Sequence, residues 1–175
     1  MRYVRWSVVW SLILLLGLPP ALADETQQHR REAGHPATSP ERLHILAGNS
    51  DWVVRQRVGR NRRAPPELLH QLAGDPHPQV RVGVATNLGT ADRTFLKLAR
   101  DPDPAVRSVV ARFEYVSAEA LAILASDDNG EIRLEVARNW NTDVLTLQRL
   151  SGDPLPEVSQ MAQLSLAKRR EEADE

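Results

Sequence analysis

One apolar skeleton recurs through this chain at a fixed step of 26 residues. A Leu-Ala pair stands at Leu46-Ala47, Leu72-Ala73, Leu98-Ala99 and Leu124-Ala125, and weakens to Leu150-Ser151. A Val-Arg pair keeps the same step at Val54-Arg55, Val80-Arg81 and Val106-Arg107, continues as Ile132-Arg133, and ends at Val158-Ser159. Asn49, Asp75, Asp101, Asp127 and Asp153 stand between them in phase. A period of this size means that each unit is one supersecondary piece unable to bury its apolar side alone, so neighbours stack into an array.

Every unit reads as two helices. Leu43, Leu69, Phe95, Leu121 and Leu147 are followed three and four positions later by Leu46/Ala47 and their equivalents, which makes one helical stripe. Val54, Val80, Val106, Ile132 and Val158 open a second stripe, closed four residues on by Val58, Val84, Val110, Val136 and Ala162. Gly59, Ala85, Ala111 and Ala137 come next and are small enough for helices to approach closely. Asp-Pro and Gly-Asp-Pro turns separate the two parts, and no stretch alternates long enough to be a strand. The expected class is all-α: a solenoid of about five 26-residue, two-helix units over residues 33–167.

The ends differ from the array. Arg2 and Arg5 precede an apolar run from Trp6 to Leu18, and Pro19-Pro20-Ala21-Leu22-Ala23 closes on a small-x-small site. That pattern predicts a cleavable export signal over residues 1–23 and a periplasmic or secreted product beginning at Asp24. The run is too short for a spanning helix, which needs about 20 residues. Polar residues 24–32 lack apolar periodicity and are expected to form a flexible N-terminal segment. Loss of the Val-Arg pair at Val158-Ser159 marks a terminal cap, with 168–175 as a charged C-terminal tail. Without the leader, lysine plus arginine falls from 22 to 20 against 23 acids, a balance near −3. Such a chain has no global attraction for nucleic acid or anionic lipid. With no cysteine there is no disulfide framework and no thiolate chemistry.

The run from Ala64 to Asn87 (Ala64-Pro65-Pro66-Glu67-Leu68-Leu69 through Val80-Arg81-Val82-Gly83-Val84-Ala85-Thr86-Asn87) and the run from Ile132 to Thr142 resemble units of leucine-rich repeat variants, which are similar to HEAT repeats. The resemblance covers roughly Ala33 to Ala167. It implies a right-handed superhelix of alternating helices, one short or of 3₁₀ type in places. Some members of the family carry an iron–sulfur domain built on clustered cysteines, and the absence of cysteine keeps that role from carrying over. An Asp and an Arg at the spacing of Asp75/Arg81, Asp101/Arg107 and Asp127/Arg133 imply, in HEAT-like repeats, charge-assisted bonds that tie adjacent turns together.

Chemistry beyond architecture is sparse. Asn61, Asn87 and Asn139 end the second helices, where asparagine tolerates left-handed backbone and bonds open carbonyls. His44 and His70 share one repeat position, but two histidines without convergent carboxylates are too few for a structural zinc site. No catalytic motif or phosphate-cradling loop is present, and the carboxylates are spread one per turn, so neither enzyme chemistry nor a cofactor or metal is expected. The exposed side of the second helices remains. Arg57, Arg60, Val82, Thr86, Arg112, Leu134, Arg138 and Trp140 mix arginine with apolar groups in the manner of protein interfaces. Phe113, Tyr115, Trp52 and Trp140 interrupt the repeat, and burial at unit junctions is the expected reason. The expected function is an exported, non-catalytic scaffold that binds a protein or peptide through this face. Polyanion binding by the Arg55–Arg63 cluster is one alternative, and a structural module of a larger envelope assembly is another.

Overall fold

A computed structural model describes residues 20–173. Residues 1–19 of the expected leader lie outside the described residues, as do Asp174 and Glu175. The described residues form eleven α-helices and no strand. Five are seven residues long: Pro40–Leu46 (α2), Pro66–Leu72 (α4), Asp92–Leu98 (α6), Ala118–Leu124 (α8) and Val144–Leu150 (α10). They alternate with a second set: Pro20–Gly34 (α1), Trp52–Arg60 (α3), Pro78–Ala85 (α5), Pro104–Arg112 (α7), Gly130–Arg138 (α9) and Pro156–Ala173 (α11). Both sets are α-helical, so the 3₁₀ character expected of one of them is absent among the described residues.

Local chemistry sets these boundaries. The second helices start on a side-chain cap: Asp51, His77, Asp103 and Asn129 accept from the backbone N–H two residues on. Proline fills the first position of α5 and α7, where its missing N–H has no helical partner anyway. Helices α3 and α9 stop because Asn61 and Asn139 turn to extended backbone, with φ near −70° and ψ near +125°. The left-handed conformation allowed for these asparagines is therefore not used.

The core is the pair of stripes read from the sequence. Leu43, Leu69, Phe95, Leu121 and Leu147 are buried, and so are Val54, Val80, Val106, Ile132 and Val158. Burial of each such side chain contributes about 1.5–3 kcal/mol before chain entropy is counted. The second helices pack directly on one another in order, α1 on α3, α3 on α5, and so on to α11, while contact between neighbouring short helices is sparser. Helices α3 and α5 come closest, since a Cβ on Gly83 would stand 2.8 Å from the Gln56 carbonyl oxygen and one on Gly59 3.3 Å from the Val84 nitrogen.

Two expectations about the ends are corrected. Residues 24–32 are not irregular but belong to α1, which packs on α3 as the second helix of a preceding unit. Apolar residues are sparse there, so no stripe is visible. Instead Ala33 is fully buried, Arg30 pairs with Asp51 at 2.6 Å, and Glu32 takes a two-pronged contact from Arg42 at 2.7 and 2.8 Å. At the other end the charged residues from Lys168 to Ala173 continue α11 rather than leaving it as a tail.

Candidate functional site

The arginine column is a continuous ladder. Arg55, Arg81, Arg107 and Arg133 each point Nε at the Oδ2 of the aspartate 20 residues ahead, at 2.6–2.7 Å to Asp75, Asp101, Asp127 and Asp153. Nη2 completes the fork on Oδ1 at 2.8–3.1 Å. Nη1 donates back to the carbonyl of the residue six earlier: Asn49, Asp75, Asp101 and Asp127 in turn. The side-chain partner of each arginine is thus the next unit's aspartate, and the residue six before it, Asn49 or an aspartate, offers the arginine its main-chain carbonyl. Each Oδ1 also accepts from the N–H two residues on: His77, Asp103, Asn129 and Leu155. With each fork seated on a carboxylate, the charge of the ladder arginines is already neutralised, which disfavours a phosphate there. The ladder also takes Arg55 out of the Arg55–Arg63 cluster.

A parallel asparagine ladder runs at the far ends of the second helices. Asn61 Nδ2 donates to the Ala33 and His35 carbonyls, Asn87 to Gly59 and Asn61, and Asn139 to Ala111 and Phe113. Ser165 continues it with one bond to the Ala137 carbonyl. Two rungs escaped the sequence reading. Thr38, Thr90 and Thr142 hold the Glu32, Val84 and Val136 carbonyls, and their spacing of two units was the available signal. His29 meets Asn49 at 3.1 Å and stands 26 residues before Arg55, so the arginine column reaches back into α1.

These pairs make stability depend on pH. At Asp75 and Asp127 burial pushes the carboxyl pKa up, but the arginine fork, the turn N–H and the arginine charge outweigh it and hold the pKa below the ordinary 3.8. The Arg133 fork does the same for Asp153, against burial. A carboxyl whose folded pKa lies below its unfolded value adds stability that is complete above the unfolded value and lost as pH falls through the folded one. The thermal midpoint should therefore hold level from neutral pH to about pH 5 and drop below 3.8. Thermal melts across that range test the ladder, and a midpoint that rose on acidification would contradict it.

On the candidate face, Arg57, Arg60, Thr86, Arg112, Arg138 and Trp140 are exposed. Val82 is not: at 9 % exposure it belongs to the core, because the close approach at Gly83 buries α5 from Val80 through Ala85. Leu134 is half-buried. Arg57 donates to the Arg30 carbonyl, Arg112 to its own helix at Ser108, and Arg138 lies 3.5 Å from Glu135. The aromatics divide. Phe113 packs between Phe95 and Tyr115, with ring centroids 5.3 and 5.8 Å away, yet Tyr115 and Trp140 are 63 % and 67 % exposed rather than buried at junctions. Trp52 stacks on His77 at 4.0 Å. His44 and His70 do not meet: the first faces the Pro40 carbonyl and the second Thr94. Among the described residues no group of three or more histidines and carboxylates is placed to hold a metal, and no helix is long and apolar enough to cross a membrane.

This geometry defines an α-solenoid repeat protein. It is similar to a solved structure described as "a leucine-rich repeat variant with a novel repetitive protein structural motif", at 27 % identity and a TM-score of 0.61. The likeness covers 75 % of this chain and 52 % of that one, so the chain matches about half of its neighbour's length. No protein-family model matches the sequence, and no curated protein matches it.

Proposed function

We propose that the chain is an exported, non-catalytic scaffold that binds a protein or peptide along the exposed side of its second helices. The observation that carries this reading is the packing asymmetry between the two helix sets. The second helices stack directly while the short ones are more open, the packing expected of an array whose second helices line its inner side. Exposed arginines lie on that set and Trp140 in the turn that follows α9, and arginine and tryptophan are the side chains that most often anchor interfaces. The leader pattern over residues 1–23 supports export to the periplasm or beyond.

A photo-cross-linking residue placed at Thr86 or Arg138 should capture a discrete partner in producing cells, while the same residue at exposed Glu67 or Glu119 on the short helices should not. Equal capture from both helix sets, or none from either, would overturn the assignment of the face. The intact mass of the exported chain should begin at Asp24.

A further inference from the structure

We infer that the surface of α3, α5 and α7 seats an extended acidic segment, an inference that rests on the scaffold reading above. These three helices carry six arginines and no carboxylate. Arg55, Arg81 and Arg107 are neutralised by the ladder aspartates. Arg57, Arg60 and Arg112 are exposed and form no ion pair among the described residues. Arg57 and Arg60 lie three apart on one helix face. The stem of Arg60 lies over α5, its Cγ 3.5 Å from where a Gly83 Cβ would be. With Gly83 and Thr86 in the corresponding positions, α5 raises neither bulk nor charge between the arginines of α3 and Arg112 of α7. The first carboxylates on the second helices beyond α1 appear on α9, where Glu135 already faces Arg138.

Spacing and charge select the occupant. Packed helices lie about 8–10 Å apart, and an extended chain advances about 3.3 Å per residue. A segment crossing the array would thus meet a new helix roughly every three residues. Guanidinium forks match carboxylates two-pronged. Nucleic acid fits less well: its binding domains are basic overall, whereas this chain without its leader has 20 basic and 23 acidic residues, and neither of its two lysines, Lys97 and Lys168, lies on these helices.

The test is fluorescence anisotropy of the full chain with three labelled probes: a peptide of about twelve residues bearing Glu at every third position in a Gly/Ser background, its Gln counterpart, and an oligothymidylate of similar length. The Glu peptide should bind, weaken with added salt, and bind at least about tenfold more tightly than the Gln peptide. The combined change Arg57→Gln, Arg60→Gln and Arg112→Gln should lower its affinity at least about tenfold, and Arg93→Gln on α6 should leave it unchanged. Thermal melts check that the variants fold, with Arg60→Gln alone as a milder form. Equal binding of the Glu and Gln peptides, absence of binding, full retention by a folded triple variant, or tighter binding of the oligothymidylate would each overturn the inference. Cross-linking at Thr86 separates the two claims: a captured partner with no Glu-peptide binding refutes only the acidic chemistry, and loss of both refutes the scaffold.

Discussion

Replacing Arg81 with alanine should destabilise the chain by about 3–5 kcal/mol, the cost of removing one member of a buried ion pair. Arg81 is the most enclosed arginine of its column, 9 % exposed against an Asp101 that is 6 % exposed. Its fork and its bond to the Asp75 carbonyl join three segments: the turn it follows, its own helix and the next unit's turn. The deletion leaves the Asp101 carboxylate with its turn N–H at Asp103 and, as the nearby cation, only Arg107, whose fork is taken by Asp127. That buried carboxylate would then stand largely out of water without its fork, which is costly. Because a stacked array is stabilised by its own units and by nearest-neighbour interfaces, the loss falls on the junction between α5 and α7. Unfolding should separate into two steps there, rather than only shift its midpoint. Arg93→Ala is the control: its partner Glu67 is 76 % exposed, and surface pairs of this kind contribute little. A single unshifted transition for Arg81→Ala, followed by circular dichroism in urea, would show that the ladder does not hold the array together.

Much of the fold was legible because each unit repeats the same solution. The stripes at Leu43/Leu69 and Val54/Val80 follow from helical spacing, and their recurrence removed the ambiguity a single short helix would carry. Which aspartate an arginine meets was not legible. Asp75 lies six residues before Arg81 and Asp101 twenty after it, and only the stacking distance between units favours the second. The helix α1 was hidden for a related reason, since it is held by Arg30–Asp51 and Glu32–Arg42 rather than by an apolar stripe. Val82 was misplaced because helical position alone does not reveal that Gly83 lets α3 press onto α5. The arginines of the face could be read individually. That Arg57, Arg60 and Arg112 have no carboxylate partner among the described residues while Arg55, Arg81 and Arg107 are consumed required the three-dimensional pairing.

Asn87→Leu should cost about 2–4 kcal/mol, because it removes three hydrogen bonds and leaves the carbonyl of buried Gly59 without its side-chain partner. Asn87 is 2 % exposed. Its Nδ2 donates to the Gly59 carbonyl at 2.7 Å and the Asn61 carbonyl at 2.9 Å, while Oδ1 accepts from the Gly89 N–H at 2.9 Å. Leucine keeps the approximate volume and removes all three bonds, so the Gly59 carbonyl and the Gly89 N–H lose their Asn87 partner, while the Asn61 carbonyl keeps only the Ala64 N–H. The chain shows what such a replacement requires. In the next unit the column holds Phe113, and there the first-helix stripe also changes from leucine to Phe95, with the two rings in contact and Tyr115 edge-on to the second. Aromatic pairing adds about 0.5–1.5 kcal/mol beyond burial, an offset that Asn87→Leu would lack because Leu69 occupies the corresponding stripe position. Urea unfolding of Asn87→Leu beside the parent measures the difference. An unchanged midpoint would mean that water satisfies these carbonyls when the asparagine is gone, and that the units are joined by apolar packing and the arginine ladder alone.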